Sequence, residues 1–257
     1  MLRFKNLGSG SSGNSTLVEA TGTSTIRVLV DCGLGLKHLT HRLAQAGVQP
    51  EDIDAVFITH EHADHIGCAR TLALRYRIPV WMSRGTHVAL RAPDLDGLLA
   101  IACDGQAIDL GSLQIMPFTV PHDAREPLQL SCTDGSTKLG ILTDLGHATA
   151  HVLAHLQGCN TLMLECNHDA DMLAQSAYPA FLKRRIGGLY GHLSNPAAAE
   201  IASKLVHPGL KQIVAAHLSE QNNHSSLVQS VLAEALSCSP QDIVIATPDS
   251  GTNWLEV

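Results

Sequence analysis

The run Thr59-His60-Glu61-His62-Ala63-Asp64-His65 places three imidazoles and the Asp64 carboxylate in one short turn. It follows Asp54-Ala55-Val56-Phe57-Ile58, an apolar and partly β-branched stretch that reads as a buried strand delivering His60 to a sheet edge. Beyond that edge, His60 and His62 can point to one side of an extended segment, while Asp64 and His65 enter the next helix on another side. One segment can therefore serve two metal ions. Neutral imidazole and carboxylate are ligands that zinc, iron and manganese accept, with positions left open for water.

Further ligand-type residues lie at the ends of other strand-like runs. Val28-Leu29-Val30 leads into Asp31, Leu142-Thr143 into Asp144, Ala215-Ala216 into His217, and Val120 into His122 across Pro121. The remaining pattern predicts strands at the amino terminus, helices over residues 36–47, 65–76, 148–156, 196–205 and 226–237, and strands over 161–164, 212–216 and 243–246. A hairpin is expected at Asp134-Gly135, a dipeptide that favours tight β-turns. Strands and helices mix in both halves, which suits an α/β sandwich.

Residues 60–65, HEHADH, resemble the HxHxDH signature of the metallo-β-lactamase superfamily, and Asp31, His122, Asp144 and His217 follow that superfamily's order. Within it the resemblance is closest to the YycJ/WalJ group of bacterial exonuclease-like proteins. It rests on LGSGSSGNS at 7–15, ECNHD at 165–169, GHLSN at 191–195 and HLSEQNN at 217–223. The resemblance implies a four-layered αβ/βα sandwich and two divalent metal ions, zinc, manganese or iron. It puts His60, His62 and His122 on one ion, Asp64, His65 and His217 on the other, and Asp144 between them. A bridging carboxylate keeps such ions about 3.5–4 Å apart, where a shared hydroxide can attack a clamped phosphoryl group. Asp31 is expected to orient a ligating imidazole rather than to bind metal.

His192 resembles the histidine of the GHS-type motif in ribonuclease Z relatives, which implies a general acid for the leaving oxygen. Glu165 is placed to orient it, and Asp64 is counted with them in the catalytic set. A helix-start residue capping its neighbours is the other reading of His192. His168 is either a substrate-side residue or an ordinary polar one. In the loop at 8–14, glycines permit positive φ and close backbone approach, so that amides, Ser11 and Asn14 can face an anionic substrate. A plain tight turn explains that loop equally well, and it lacks the lysine of a P-loop.

At 257 residues, 45% hydrophobic and 16% charged, the chain can bury one large core or two small ones. No linker divides it and the proposed ligands come from both halves, so one domain over residues 1–257 is expected. The longest apolar stretches are strand-sized and Met1-Leu2-Arg3-Phe4-Lys5 has no signal-peptide core. A cytoplasmic protein without a membrane span is therefore expected. Seven cysteines with no CxxC pair fit reduced thiols, with Cys32 and Cys166 as small buried residues. His38, His41, His87, His147, His151, His155, His207 and His224 have no partner motif and are read as surface or capping residues.

The net charge is −7, and Lys183-Arg184-Arg185 is the one dense basic cluster. This is awkward for a nucleic-acid enzyme, although bound divalent cations would offset it locally. The reading that the resemblance implies is a metal-dependent phosphodiesterase, a DNA exonuclease with nucleic acid as its partner and no protein partner. The acidic balance favours a second one: a small-molecule hydrolase acting on a cyclic or short phosphodiester, or on a thioester as glyoxalase II does. A non-enzymatic metal-dependent scaffold is disfavoured, because a structural site has no use for an open pair of metals.

Overall fold

The computed structural model describes residues 1–257. The chain opens as an antiparallel meander of β1 (Leu2–Gly8), β2 (Ser15–Thr21) and β3 (Thr25–Val30). It then alternates: α1 (Leu36–Gln45), β4 (Ala55–Phe57), α2 (Ala63–Ile66), α3 (Ala69–Tyr76), β5 (Val80–Met82), α4 (Arg84–Ala89) and β6 (Leu99–Ile101). A second meander follows in β7 (Ile108–Asp109), β8 (Gln114–Thr119), β9 (Leu128–Thr133) and β10 (Lys138–Leu142). Alternation then resumes with α5 (Ala150–Leu156), β11 (Thr161–Glu165), α6 (Ala170–Gln175), α7 (Ala180–Ile186), α8 (Asn195–Leu205), β12 (Gln212–Ala216), α9 (Ser225–Leu236), β13 (Val244–Ile245) and β14 (Leu255–Glu256).

These strands form two seven-stranded sheets, ordered β14-β1-β2-β3-β4-β5-β6 and β13-β12-β11-β10-β9-β8-β7. In each, the meander pairs are antiparallel and the crossover pairs are parallel, while β14 returns from the end of the chain to pair antiparallel with β1. Hairpins can join antiparallel neighbours, whereas parallel neighbours need a crossover, here usually a helix.

Burial explains the layers. Leu2, Phe4, Val18, Val28, Val30 and Phe57 of the first sheet pack on Ile115, Leu130, Leu139, Ile141, Met163 and Val214 of the second, as one inter-sheet core. The opposite face of the first sheet, with Leu17, Leu29 and Val56, is covered by Leu39 and Leu43 of α1 and Leu72 of α3. The opposite face of the second, with Leu142, Leu162 and Ile213, is covered by Val152 of α5, Ile201 and Leu205 of α8, and Val228 and Leu232 of α9. Period-two burial along strands and i, i+3/i+4 burial on helices thus give helix, sheet, sheet, helix, the expected αβ/βα sandwich. Each buried Leu, Ile or Phe side chain contributes about 1.5–3 kcal/mol to holding these layers.

Most expected elements fall within a residue or two of their places, and Gln212–Ala216 coincides. The helix expected over residues 65–76 is broken into α2 and α3, because Gly67 turns the chain at φ 27°. All seven cysteines are free, and Cys32 and Cys166 are fully buried. No helix is long and apolar enough to cross a membrane.

Candidate metal centre

The site forms at the rim where strands of both sheets end. Asp31 directly follows β3, His217 directly follows β12, and Glu165 is the last residue of β11. His60, His122 and Asp144 lie two or three residues beyond β4, β8 and β10. The turn after β4 is held by backbone bonds: Asn14 N–H donates to Asp64 O (2.8 Å) and Cys32 N–H to His65 O (2.8 Å). Gly33 makes this possible, since a Cβ there would fall on the Asp64 carbonyl oxygen.

The ring nitrogens sort into inward and outward sets. His65 Nδ1 meets Asp31 Oδ2 at 2.8 Å, His122 Nδ1 meets Gly191 O at 3.0 Å, and His217 Nδ1 meets Glu165 Oε1 at 3.0 Å. His60 Nδ1 stands 3.0 Å from the Thr59 hydroxyl, which itself donates to Asp31 Oδ2 at 2.9 Å. In His60, His65 and His122 the outward bond at Nδ1 leaves Nε2 facing the centre, and His217 turns its Nε2 to Asp64 Oδ2 at 3.5 Å. His62 is turned the other way, with Nδ1 at 3.0 Å from His60 Nε2 and 3.3 Å from His122 Nε2. Acceptors on the outer nitrogens fix ring orientation and tautomer in metal sites.

The inward atoms form the expected clusters: His60, His62 and His122; and Asp64, His65 and His217. Asp144 lies between them, with Oδ2 3.1 Å from His65 Nε2, and with Oδ1 3.1 Å from His217 Nδ1 and 4.0 Å from His122 Nε2. Asp144 Oδ2 and His217 Nε2 are buried without any hydrogen-bond partner. Buried polar atoms are rarely left so, and nitrogen and oxygen atoms converging this closely suit divalent cations. The donor set fits metal.

Electrostatics point the same way. Burial alone would lower His217, but Asp144, Asp64 and Glu165 around it overrule that and raise it to about 10. Burial likewise opposes a charge on His65, and Asp144 and Asp31 nevertheless raise it well above the ordinary histidine value. Burial, reinforced by His65, pushes His60 well below that value. Burial would raise Asp144, yet His217 and His65 hold its carboxyl well below the ordinary range. The rim concentrates negative charge that calls for cations.

His192 Nδ1 lies 2.8 Å from Glu165 Oε1, and Glu165 Oε2 accepts from the N–H groups of Leu145 (3.1 Å) and Leu193 (3.0 Å). Burial would raise Glu165, but His192 and His217 bring it down to about 2. His192, Asp64, Asp144, His217, His62 and Ser11 line one cleft of about 320 Å³. Asn14 donates to Asp64 Oδ2 at 3.3 Å and spans its own loop through Gly10, so it supports the metal turn from behind. His168 is buried among the backbones of Leu193 and Asn195 and does not line that cleft. His151 pairs with Asp104 on the surface (2.8 Å), away from the centre.

Two cleft residues escaped the sequence reading of the site. Asp123 Oδ1 lies 3.5 Å from His122 Nε2 and 3.8 Å from His62 Nε2, while its Oδ2 holds Arg185 Nε at 2.5 Å. The signal available was adjacency to His122 for the one and membership of the basic cluster for the other. A larger cavity of about 820 Å³, lined by Lys5, His41 and Arg42, contains none of the rim residues. Volume does not mark the chemistry here.

Comparison with known proteins agrees with this geometry. The family profile described as the metallo-beta-lactamase superfamily matches residues 8–163. Exodeoxyribonuclease YycJ of Bacillus anthracis is 33% identical over 91% of this chain and 89% of its own length. Exodeoxyribonuclease WalJ of Streptococcus pneumoniae is 31% identical over 99% and 98%. The crystal structure of the metallo-beta-lactamase fold protein YhfI from Bacillus subtilis superposes with a TM-score of 0.77 at 20% identity, covering 100% and 99%, which speaks for the fold. Since the profile takes in the whole metal turn and the two full-length relatives run through both sheets, the chain belongs to the metallo-β-lactamase superfamily, alongside the YycJ and WalJ proteins, and is a metal-dependent hydrolase.

Proposed function

We propose that the protein is a two-metal phosphodiesterase that degrades DNA from an end, acting in the cytoplasm as one domain of 257 residues. The observation that carries the phosphodiesterase reading is the His192–Glu165 pair, which opens on the same cleft as the paired His/Asp clusters. The choice of DNA and of exonucleolytic cleavage is supported by the two long-aligned relatives, both named exodeoxyribonucleases.

His60, His62 and His122 would hold one divalent ion, and Asp64, His65 and His217 the other, with Asp144 shared. Zinc, manganese or iron bound there would supply Lewis-acid charge for a phosphoryl oxygen and a nucleophile at neutral pH. The protein's own part is positioning and proton transfer. Glu165 accepts from His192 Nδ1 and leaves Nε2 to deliver a proton to the departing oxygen. Burial disfavours the charged ring, but the Glu165 carboxylate raises His192 above the ordinary histidine value, which keeps the acid form available near neutrality. Arg185, paired with Asp123, lines the cleft beside the metal centre. Phe181 and Tyr190 of the same segment are exposed by 66% and 61%, and aromatic faces of this kind can stack single-stranded bases.

The test compares linear DNA, closed circular DNA and bis-p-nitrophenyl phosphate with the wild type and His192→Ala. The wild type should degrade linear DNA and spare the circle. The variant should keep its metal and lose about 10²–10⁴ in rate on DNA, but less on the activated ester, whose leaving group needs little protonation. Equal losses on both substrates would make His192 structural. Intact linear DNA beside rapid turnover of a small phosphodiester or thioester would move the function to the small-molecule class.

A further inference from the structure

His192 lines a second cavity besides the metal cleft. This cavity, of about 530 Å³, is bounded by His192, His168, Lys183, Arg184, Gly187 and Ser194 among others, and by none of the seven candidate ligands. Its size is that of an ordinary small-molecule site.

Three features favour an anion there. His168 is only 3% exposed, and its Nδ1 has no hydrogen-bond partner. Its backbone donates to Leu193 O (3.3 Å) and accepts from Asn195 N–H (2.9 Å), which sets the residue in the cavity wall. A buried polar atom held unpaired is costly unless a ligand or water satisfies it. Lys183 Nζ donates one hydrogen to Ala174 O at 2.6 Å, which fixes the ammonium at the cavity with donors to spare. Neither Lys183 nor Arg184 has a carboxylate within ion-pair distance, so both keep their charge for a ligand. Arg185, by contrast, is already neutralised by Asp123.

Chemistry places this cavity relative to the reaction. A group that protonates a leaving oxygen must stand beside it, so the nucleotide bearing that oxygen lies against His192. The second cavity is the space that His192 offers beyond the metal cleft. We propose that it is the subsite for the leaving-side nucleotide, with His168, Lys183 and Arg184 binding the phosphate next to the scissile one. This rests on the nuclease reading for the identity of the ligand. It predicts that substrates with a phosphate beyond the cut bond are favoured over simple diesters. An Arg–phosphate or Lys–phosphate contact is charge-assisted and stronger than a neutral bond.

The experiment uses the as-purified, metal-loaded full chain with two substitution sets, Lys183→Ala with Arg184→Ala, and His168→Phe, which keeps a ring but removes its nitrogens. Binding of a cleavage-resistant phosphorothioate trithymidylate is measured by calorimetry, and kcat/KM is measured for trithymidylate and for bis-p-nitrophenyl phosphate. The expected result is roughly ten- to a hundredfold weaker trinucleotide binding in the double variant, with the trinucleotide-to-ester ratio of kcat/KM falling by a similar factor. His168→Phe should shift both in the same direction. Unchanged binding in both variants, or a fall in ester turnover equal to that on trinucleotide, overturns the subsite. Wild-type binding of trithymidylate that the variants lose, without any cleavage of it, supports the subsite while overturning the nuclease reading.

Discussion

Asp31, Asp144 and His217 all hold left-handed backbone, at φ 61°, 58° and 56°. Such a conformation costs a non-glycine residue roughly 1–2 kcal/mol, and residues kept in it tend to cluster at functional sites. Here it turns each side chain back over the strand it ends, toward the centre. Asn adopts this conformation as readily as Asp, so Asp31→Asn keeps the turn and removes the carboxylate charge that faces His65 Nδ1 and accepts from Thr59. The variant should fold normally and bind metal roughly 10- to 100-fold more weakly. A metal titration that finds unchanged affinity would remove Asp31 from the support of His65. His217 gives a pH prediction at the same scale. Its pKa, raised to about 10 in the metal-free protein, means that it carries a proton at pH 8, whereas an ordinary histidine would not. A ligating imidazole must be neutral, so binding releases that proton and affinity rises with pH up to about 10. For the metal-free fold the sign is opposite. Stability from protonated His217 is present below the ordinary value of about 6.5 and is lost as pH rises toward 10. Calorimetry at pH 8 in buffers of different ionisation enthalpy should show net proton release. Buffer-independent heats would mean that His217 is already neutral. These residues were legible as candidate ligands and supports because metal chemistry admits few side-chain types. Asp123 and Arg185 were not, since a surface-type Asp and Arg acquire meaning only from a meeting 62 positions apart.

Among the elements, what was legible depended on how much of each is buried. The strand Gln212–Ala216 is apolar with four of its five residues buried, and its bounds follow from the sequence. Helix α7 (Ala180–Ile186) has no buried residue, so no apolar periodicity announces it, and it was not anticipated. Yet Leu182, Arg185 and Ile186 wall the cleft. Helix α6 did carry a signal that was passed over: Asp169 caps it by accepting from the N–H groups of Asp171 and Met172. The metal turn shows the third case, in which neighbouring elements decide. Its shape depends on the Gly33 backbone pressed against Asp64 O, a contact between the loop after β3 and helix α2. Gly33→Ala should therefore move Asp64 and His65 while leaving the strands in place. The expected outcome is a folded protein whose metal content falls toward one ion per chain, with a destabilisation of about 1–3 kcal/mol from the forced shift. Elemental analysis with a chemical melt checks both. Full metal content in a variant of wild-type stability would show that the turn can yield without cost.

At the scale of the whole molecule, the two sheets repeat one plan, an antiparallel meander that passes into parallel strands, and their inner faces share a single core. The rough likeness of the two halves was visible in the sequence, whereas which sheet faces bury was not, because that depends on contacts far apart in the chain. The centre draws His60, His62, Asp64 and His65 from beyond the first sheet, and His122, Asp144 and His217 from beyond the second. Ions bound there would act as cross-links between the layers at a rim that, without them, crowds carboxylates and imidazoles with unpaired buried atoms. Metal free in solution at 100 times its dissociation constant adds about 2.7 kcal/mol per site. In a protein of this length each kcal/mol moves Tm by about 2–4 °C. Removing metal with a chelator should therefore lower Tm by roughly 5–10 °C per emptied site, and adding metal back should restore it. Asp144→Asn tests the shared position separately: lying between both clusters, it should shrink the metal-dependent increment at both, whereas His62→Ala should shrink it at one. A Tm indifferent to chelator, or an increment that survives intact in Asp144→Asn, would mean that the two sheets hold together without the centre and that Asp144 does not join its halves.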